Sequence, residues 1–384
     1  MNAADHLKAL IACRSVTPVD AGAQAYLERV LAAGGFAVER MRFSTPGAAA
    51  ADNLFATIGT GTPHLAFAGH TDVVPAGDDA RWTHPPFAGE VADGMMFGRG
   101  AVDMKGGIAC FLAAAFDLVA GGQPAGTLSF LITGDEEGAA VNGTVRLIAW
   151  ALDQGHRFDA VLVGEPTSRE RVGDTVKIGR RGTLSATVRT TGRQGHVAYP
   201  RAADNPIPRL IRVLARLAEL RLDEGSADFE PSNLEITSVD VGNPAANVIP
   251  AEASARFNVR FNDRWSPAGL ADRLAREVAA AAGDGQCELT IEPGAGDWFL
   301  TPGGPLVDLL SEAIVATVGI EPERSTGGGT SDARFFKDVC PVVDFGLVGQ
   351  TMHQIDERVA LADLDRLTAI YRDFLGRFFS GARR

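Results

Sequence analysis

The chain has 384 residues, 46% of them hydrophobic, and a formal net charge of −12. That length exceeds the usual single domain, so two domains are expected, and the apolar content is ample for a large core. The acidic balance argues against nucleic acid or an anionic membrane as the main partner. Leu7, Leu10 and Ile11 lie at helical spacing near the start, where acidic Asp5 stands and no basic stretch leads into an apolar run. This reads as an amphipathic helix and not as a secretory signal. A helix over 24–33 stops at Gly34-Gly35. Strands near 53–58 and 65–69 follow, then a helix from Gly107, a strand over 128–133, a helix over 145–152 and a strand over 160–163. This βαβ rhythm predicts a largely parallel sheet covered by helices. The longest apolar stretch, 108–120, is interrupted by Asp117 and is too short to span a bilayer, so a cytoplasmic protein is expected. Four cysteines, Cys13, Cys110, Cys287 and Cys340, stand far apart and form no Cys-x-x-Cys pair, which predicts buried free thiols.

Beyond about Lys177 the texture changes. Residues 183–190 alternate strictly, as a half-exposed strand does. A helix over 206–220, strands over 234–239 and 253–261, a helix near 267–282 and a strand over 287–291 complete a strand-helix-strand-strand-helix-strand order. That order predicts a small α+β sandwich on an antiparallel sheet. Glu292-Pro293-Gly294 reads as a return linker, after which helices over 305–316 and 361–379 resume the first pattern. The expected fold is therefore an α/β domain with a largely parallel central sheet flanked by helices, formed by 1–179 and 294–384. The α+β domain with the antiparallel sheet, 180–293, is inserted between its halves.

Chemistry-bearing side chains gather at the ends of the predicted strands. Glu136 and Glu137 follow the run 127–133; His70-Thr71-Asp72 follows 64–69; Glu165 follows 158–164; His353 lies in a loop after 341–346. In α/β folds, ligands bind at the carboxyl ends of strands. Adjacent carboxylates in extended backbone point opposite ways, so one of Glu136 and Glu137 can bind a metal while the other carries a proton. His70 and Asp72 lie two apart, as a histidine ligand and a carboxylate that orients its ring would. Asp103 opens the entry to an apolar helix, where its side chain can cap the helix or bridge two ions. Taken singly, each of these is more often an ordinary surface turn; together they form a nitrogen-and-oxygen donor set suited to zinc, or less selectively to cobalt or manganese. Two ions about 3.5–4 Å apart, with a non-ligating carboxylate as proton shuttle, make a hydrolytic site. No Gly-x-Ser-x-Gly elbow or phosphate-binding Gly-x-x-x-x-Gly-Lys-Ser/Thr loop competes with this reading.

Gly69-His70-Thr71-Asp72-Val73-Val74-Pro75, Gly98-Arg99-Gly100-Ala101-Val102-Asp103-Met104-Lys105-Gly106, Gly134-Asp135-Glu136-Glu137-Gly138 and Gly164-Glu165-Pro166-Thr167 resemble the motifs of the co-catalytic dizinc amidohydrolases. The resemblance covers essentially the whole chain. It extends to Lys177-Ile178-Gly179-Arg180-Arg181-Gly182, Gln194-Gly195-His196-Val197-Ala198-Tyr199-Pro200, Asn247-Val248-Ile249-Pro250 and Gly328-Gly329-Thr330-Ser331-Asp332-Ala333-Arg334-Phe335. It implies two Zn²⁺ per subunit (with Co²⁺ an option in the second site), held by His70, Asp103, Glu137, Glu165 and His353, with Asp103 bridging. Glu136 would be the acid/base and Asp72 would orient His70. The inserted domain would be a dimerisation lid, from which His196 reaches the neighbouring subunit's site. Arg181, Tyr199, Asn247, Arg260 and Thr330 would hold the substrate, where an Arg fork suits a carboxylate. The implied reaction is hydrolysis of an N-acyl amino acid amide, with the N-succinyl branch of the family favoured over N-acetyl deacylases. Thr183 and Ala333 stand where that family more usually has serine and glycine, and the surroundings of His353 are altered. His6, His64, His84 and His156 lack a carboxylate motif and read as surface or structural.

Overall fold

The runs His64–His70 and Thr127–Thr133 are buried at every position, which only the middle of a sheet covered on both faces allows. In the computed structural model, which describes residues Met1–Gly381, these two strands pair in parallel, with His70 opposite Thr133. They sit within an eight-stranded sheet. Its order is Ala37–Phe43, Ala51–Gly59, Thr127–Thr133, His64–His70, Ala160–Val163, Val342–Asp344, Thr175–Lys177 and Glu323–Ser325. From Thr127–Thr133 to Val342–Asp344 all neighbours are parallel. The pairs at one margin and between Val342–Asp344 and Thr175–Lys177 are antiparallel. The largely parallel sheet expected from the βαβ rhythm is thus parallel through its centre and mixed outside it. Because the four central strands run the same way, their carboxyl ends form one rim.

Helix Lys105–Ala120 is buried on every side along its first eleven residues, Lys105 to Ala115, as an all-apolar helix must be. It packs against Leu361–Gly381 and Ala3–Ala12. Phe111 stacks on Phe67 of the sheet at 4.1 Å between ring centroids and meets Tyr371 edge-on at 5.3 Å. The Tyr371 hydroxyl donates to the Phe345 carbonyl at 2.6 Å, so the one polar atom in this aromatic cluster is satisfied. Each such buried ring contributes roughly 1.5–3 kcal/mol of apolar transfer.

The chain forms two compact units. The first comprises Met1–Gly179, Leu300–Ser325 and Ser331 onward; the second comprises Arg180–Phe299 with Thr326–Thr330. The second unit therefore runs past the Glu292-Pro293-Gly294 linker, since Thr183 and Gly296 exchange both backbone bonds, at 2.9 and 3.0 Å. Its antiparallel sheet has the order Asn233–Asp240, Glu252–Phe261, Gly182–Thr191, Cys287–Ile291. Alternate residues of Gly182–Thr191 are buried, including Leu184, Ala186 and Val188. Helices Pro206–Ala218 and Pro267–Ala282 cover that face with Leu210, Val213, Leu217, Leu270, Leu274 and Val278. Both start on a proline behind a side-chain cap: Asn205 accepts from Ile207 N and Ser266 from Gly269 N, each at 3.1 Å. No helix among the described residues is long and apolar enough to cross a membrane. All four cysteines are unpaired, but only Cys110 is fully buried; the other three are half-buried.

Candidate metal centre

His70 is the last residue of its strand, and its ring is fixed from behind. Nδ1 lies 2.9 Å from the backbone carbonyl of Asp72, an acceptor only, so Nδ1 carries the proton and Nε2 faces the rim. The orienting contact thus comes from the main chain of Asp72 and not from its carboxylate, which stands 3.6 Å away. That carboxylate instead accepts the backbone N–H groups of Glu136 and Glu137 at 3.3 and 3.0 Å. Asp72 therefore ties the histidine end of one strand to the glutamate pair at the end of the next. Burial raises its carboxyl pKa to about 6, against the pull of His70 and of those two amides.

In front of His70 Nε2 stand Asp103 Oδ1 at 3.1 Å, Glu165 Oε1 at 3.6 Å and Glu136 Oε2 at 3.8 Å. The second oxygen of Asp103 lies 3.1 Å from His353 Nε2, which is also 2.9 Å from Glu137 Oε1. The structure thus brings together His70, Asp103, Glu136, Glu137, Glu165 and His353. His70, Asp103 and Glu165 offer ligand atoms within 4.8 Å of one another, and so do Asp103, Glu137 and His353. A third combination, His70 with Glu136 and Glu137, satisfies the same distance. Asp103 is shared by the first two, one oxygen to each.

Local backbone makes this convergence possible. Gly107 lets the helix that follows Asp103 approach the strand end before Glu165, since a Cβ there would meet the Gly164 carbonyl at 2.2 Å. His353 adopts φ +62°, a left-handed conformation uncommon for a residue with a Cβ, which turns its ring toward the rim.

The electrostatics show what the donor set can hold. Burial opposes charge on His70, yet the hydrogen bond to Asp103 and the surrounding carboxylates outweigh it and hold its pKa well above the usual value. Hydrogen bonds to Asp103 and Glu137 raise His353 to about 10. Asp103 is pulled below the ordinary carboxylate range by both histidines, despite its burial. Burial raises Glu136 well above its ordinary value, opposed by His70 and reinforced by Glu165, Asp332 and Glu137. So many acids beside two imidazoles in a buried rim call for positive charge. With Nδ1–H committed to the Asp72 carbonyl, Nε2 is the ring nitrogen from which a divalent cation can displace the proton, among carboxylates that suit such an ion.

The remaining sequence-predicted residues belong to the second unit. His196 is exposed, its Nδ1 accepting the Ala198 amide at 3.1 Å, and its ring centroid is 5.7 Å from that of Tyr199. Tyr199 is 68% exposed and Asn247 is exposed, whereas Arg260 and Thr330 are half-buried. Arg181 directs Nη1 to Pro231 O and Asn233 Oδ1, both at 3.0 Å, so half of its fork is already engaged. Arg180 is the more buried of the two neighbours and donates to Gly329 O at 2.8 Å. Two buried charged residues near the rim were not singled out from the sequence, Arg99 and Glu357. The signal was available: Arg99 sits between two glycines in the Asp103 motif, and Glu357 lies four residues after His353.

Residues 66–377 match peptidase family M20/M25/M40. A succinyl-diaminopimelate desuccinylase of Rhodopseudomonas palustris (strain TIE-1) is 57% identical over 375 residues, covering 97% of each chain. One from Methylobacterium nodulans is 58% identical over 375 residues, 97% of this chain and 95% of that one. Among solved structures, an M20 family metallo-carboxypeptidase from Sulfolobus solfataricus superposes with TM-score 0.82 at 17% identity, over 98% of this chain and 99% of that one. A tripeptidase from Staphylococcus aureus gives 0.80 at 19% identity, over 100% and 98%. These structural likenesses establish the shared fold.

Proposed function

The chain belongs to peptidase family M20/M25/M40, and from that premise we propose that it hydrolyses the amide of N-succinyl-L,L-2,6-diaminopimelate to succinate and L,L-2,6-diaminopimelate. This step would serve lysine and diaminopimelate synthesis. The substrate follows from the full-length identity to curated desuccinylases. The mechanism rests on one observation in this structure: Asp103 presents one oxygen to His70 and the other to His353, each at 3.1 Å. His70, Asp103 and Glu165 would hold one cation, and Asp103, Glu137 and His353 a second, with Zn²⁺ the ion that donor set suits best and Co²⁺ an option at the second. When bound, the ions supply Lewis acidity, polarising the scissile carbonyl and acidifying water.

The chain's own groups do the rest. Glu136 is held at the rim by Asp72 through its amide, and its carboxylate Oε2 stands 3.8 Å from His70 Nε2. It takes a proton from the reacting water as oxygen attacks the amide carbon, then gives the proton to the departing amine as the C–N bond breaks. His196 of the neighbouring subunit is proposed to donate a hydrogen bond to the developing oxyanion, in a homodimer formed through the second unit. Arg181, Tyr199, Asn247, Arg260 and Thr330 are proposed to bind the substrate's carboxylates and main chain, a role carried by the resemblance of their motifs.

Glu136→Gln keeps the shape of the side chain but removes its basicity. The expected result is a wild-type metal-to-protein ratio with turnover reduced by ~10²–10⁴-fold. Turnover near that of the wild type would sink the role given to Glu136. Initial rates of the wild type on N-succinyl and N-acetyl substrates, measured side by side, should favour the succinyl compound. A preference for acetylornithine would move the chain to another branch of the family.

A further inference from the structure

Arg99 and Glu357 form an ion pair at 2.6 Å whose side chains are 3% and 0% exposed. Ion pairs this deep are poor stabilisers, because desolvation of both partners offsets their attraction. This one is tied to backbone on both sides. Glu357 Oε2 also accepts the Gly100 amide at 3.1 Å, and Oε1 accepts those of Val102 and Asp103 at 2.8 and 3.3 Å. A single carboxylate thus fixes the loop that delivers Asp103. Arg99 grips the other loop: Nη2 donates to the His353 carbonyl at 3.3 Å, and Nη1 to that of Gln354 at 3.2 Å. A further bond from Nη2 reaches Pro75 O at 3.3 Å, downstream of His70 and Asp72.

The His353 loop needs such a grip. His353 and Asp356 both hold left-handed backbone, at φ +62° and +58°, a conformation that persists only where surroundings over-determine it. Asp356 is fixed through its side chain, which accepts the Thr83 amide at 2.8 Å. His70 and the Glu136–Glu137 turn, by contrast, are placed by paired central strands and by Asp72. His353 is also the ligand candidate with the most exposed side chain, at 45%.

We infer that the Arg99–Glu357 pair is a positioning device which sets Asp103 against His353, and thereby decides whether the chain holds a second divalent cation between Asp103, Glu137 and His353. Neither residue belongs to the donor groups; both act through the two loops. The inference rests on the two-ion reading of the site.

The test uses the full-length chain stripped of metal and titrated with Zn²⁺ against a competing chelator. Wild type, Arg99→Lys, Glu357→Gln and a packing control, Leu364→Ala, are compared, with melting temperature measured in parallel. Leu364 is buried in the core. The expected result is two ions in the wild type, an unchanged first equivalent in both pair variants and a second equivalent weakened by ~10–100-fold. With Co²⁺ in place of Zn²⁺, the visible spectrum of the second equivalent should change in the same variants. Leu364→Ala should lower the melting temperature yet bind both ions as the wild type does. Two unaltered equivalents in the variants overturn the inference, and so does equal weakening of both, or a packing control that behaves as Glu357→Gln does. If Glu357→Gln does not fold, Arg99→Lys decides alone; failure of both to fold makes the pair structural and overturns the inference. A wild type that takes a single ion overturns the two-ion reading, and this inference with it.

Discussion

His64 and His70 stand at opposite ends of one buried strand, and their environments push them in opposite directions. His70 faces carboxylates. His64 has its Nε2 2.8 Å from the Ser129 hydroxyl, while the Asp159 carboxylate beside it accepts the His64 backbone N–H instead. Burial, aided by neighbouring His156, lowers the His64 pKa to about 4. In the unfolded chain the ring protonates near 6.5, so between about pH 6.5 and 4 the unfolded state binds more protons than the native state. Stability therefore falls as pH falls through that window, and His64 stays neutral and stabilising above it. We expect the melting temperature of His64→Gln to drop less between those pH values than that of the wild type, whatever its stability at neutral pH. Equal slopes would show that His64 is not a source of acid sensitivity. The lack of a carboxylate motif left the ring as surface or structural, and its burial against Ser129 makes it structural. The role of Asp72 was only half legible: a spacing of two places a group near a histidine ring but does not say whether carbonyl or carboxylate reaches it.

At the scale of elements, the rim was readable because parallel central strands are buried on both faces and so appear as unbroken apolar runs with polar residues only at their ends. Ala37–Phe43 escaped notice for the opposite reason. It is an edge strand whose Glu39, Arg40 and Arg42 interrupt the apolar pattern, as exposed edges do. Thr175–Lys177 and Glu323–Ser325 have three residues each, too few to show a period. Glycine in the Asp103 motif was visible as composition, but its purpose emerges from packing. Gly107 allows helix Lys105–Ala120 to seat against the strand that ends before Glu165, with backbone and not a flexible side chain as the obstacle to a Cβ. Gly107→Ala should therefore force helix and strand apart, costing about 1–3 kcal/mol of stability. It should also weaken metal binding more than its melting loss suggests, since Asp103 and Glu165 would separate. A variant that melts lower but binds metal as the wild type does would confine the glycine to packing.

Over the whole molecule, the inserted unit announced itself by its change from apolar runs to strict alternation, because a sheet covered on one face buries every second residue. Its boundary was less legible, since the Thr183–Gly296 pairing carries the chain past a linker that looked like an ending. The same one-sided sheet bears on assembly. Strand Asn233–Asp240 lies at its edge, paired on one side alone among the described residues, and Val239 is 56% exposed. Helix Pro206–Ala218 packs beside that strand and exposes Ile211. An open edge with apolar neighbours is a surface that a second copy can cover by strand and helix contact. Sedimentation should give twice the chain mass of 40.3 kDa. Val239→Lys combined with Ile211→Glu should shift it to the single-chain mass without unfolding either unit. If His196 acts across that interface, the monomer should keep its two ions and lose most turnover, because the oxyanion donor departs with the partner while the rim stays intact. A monomer with full activity would remove His196 from the neighbouring site and leave dimerisation without a catalytic purpose.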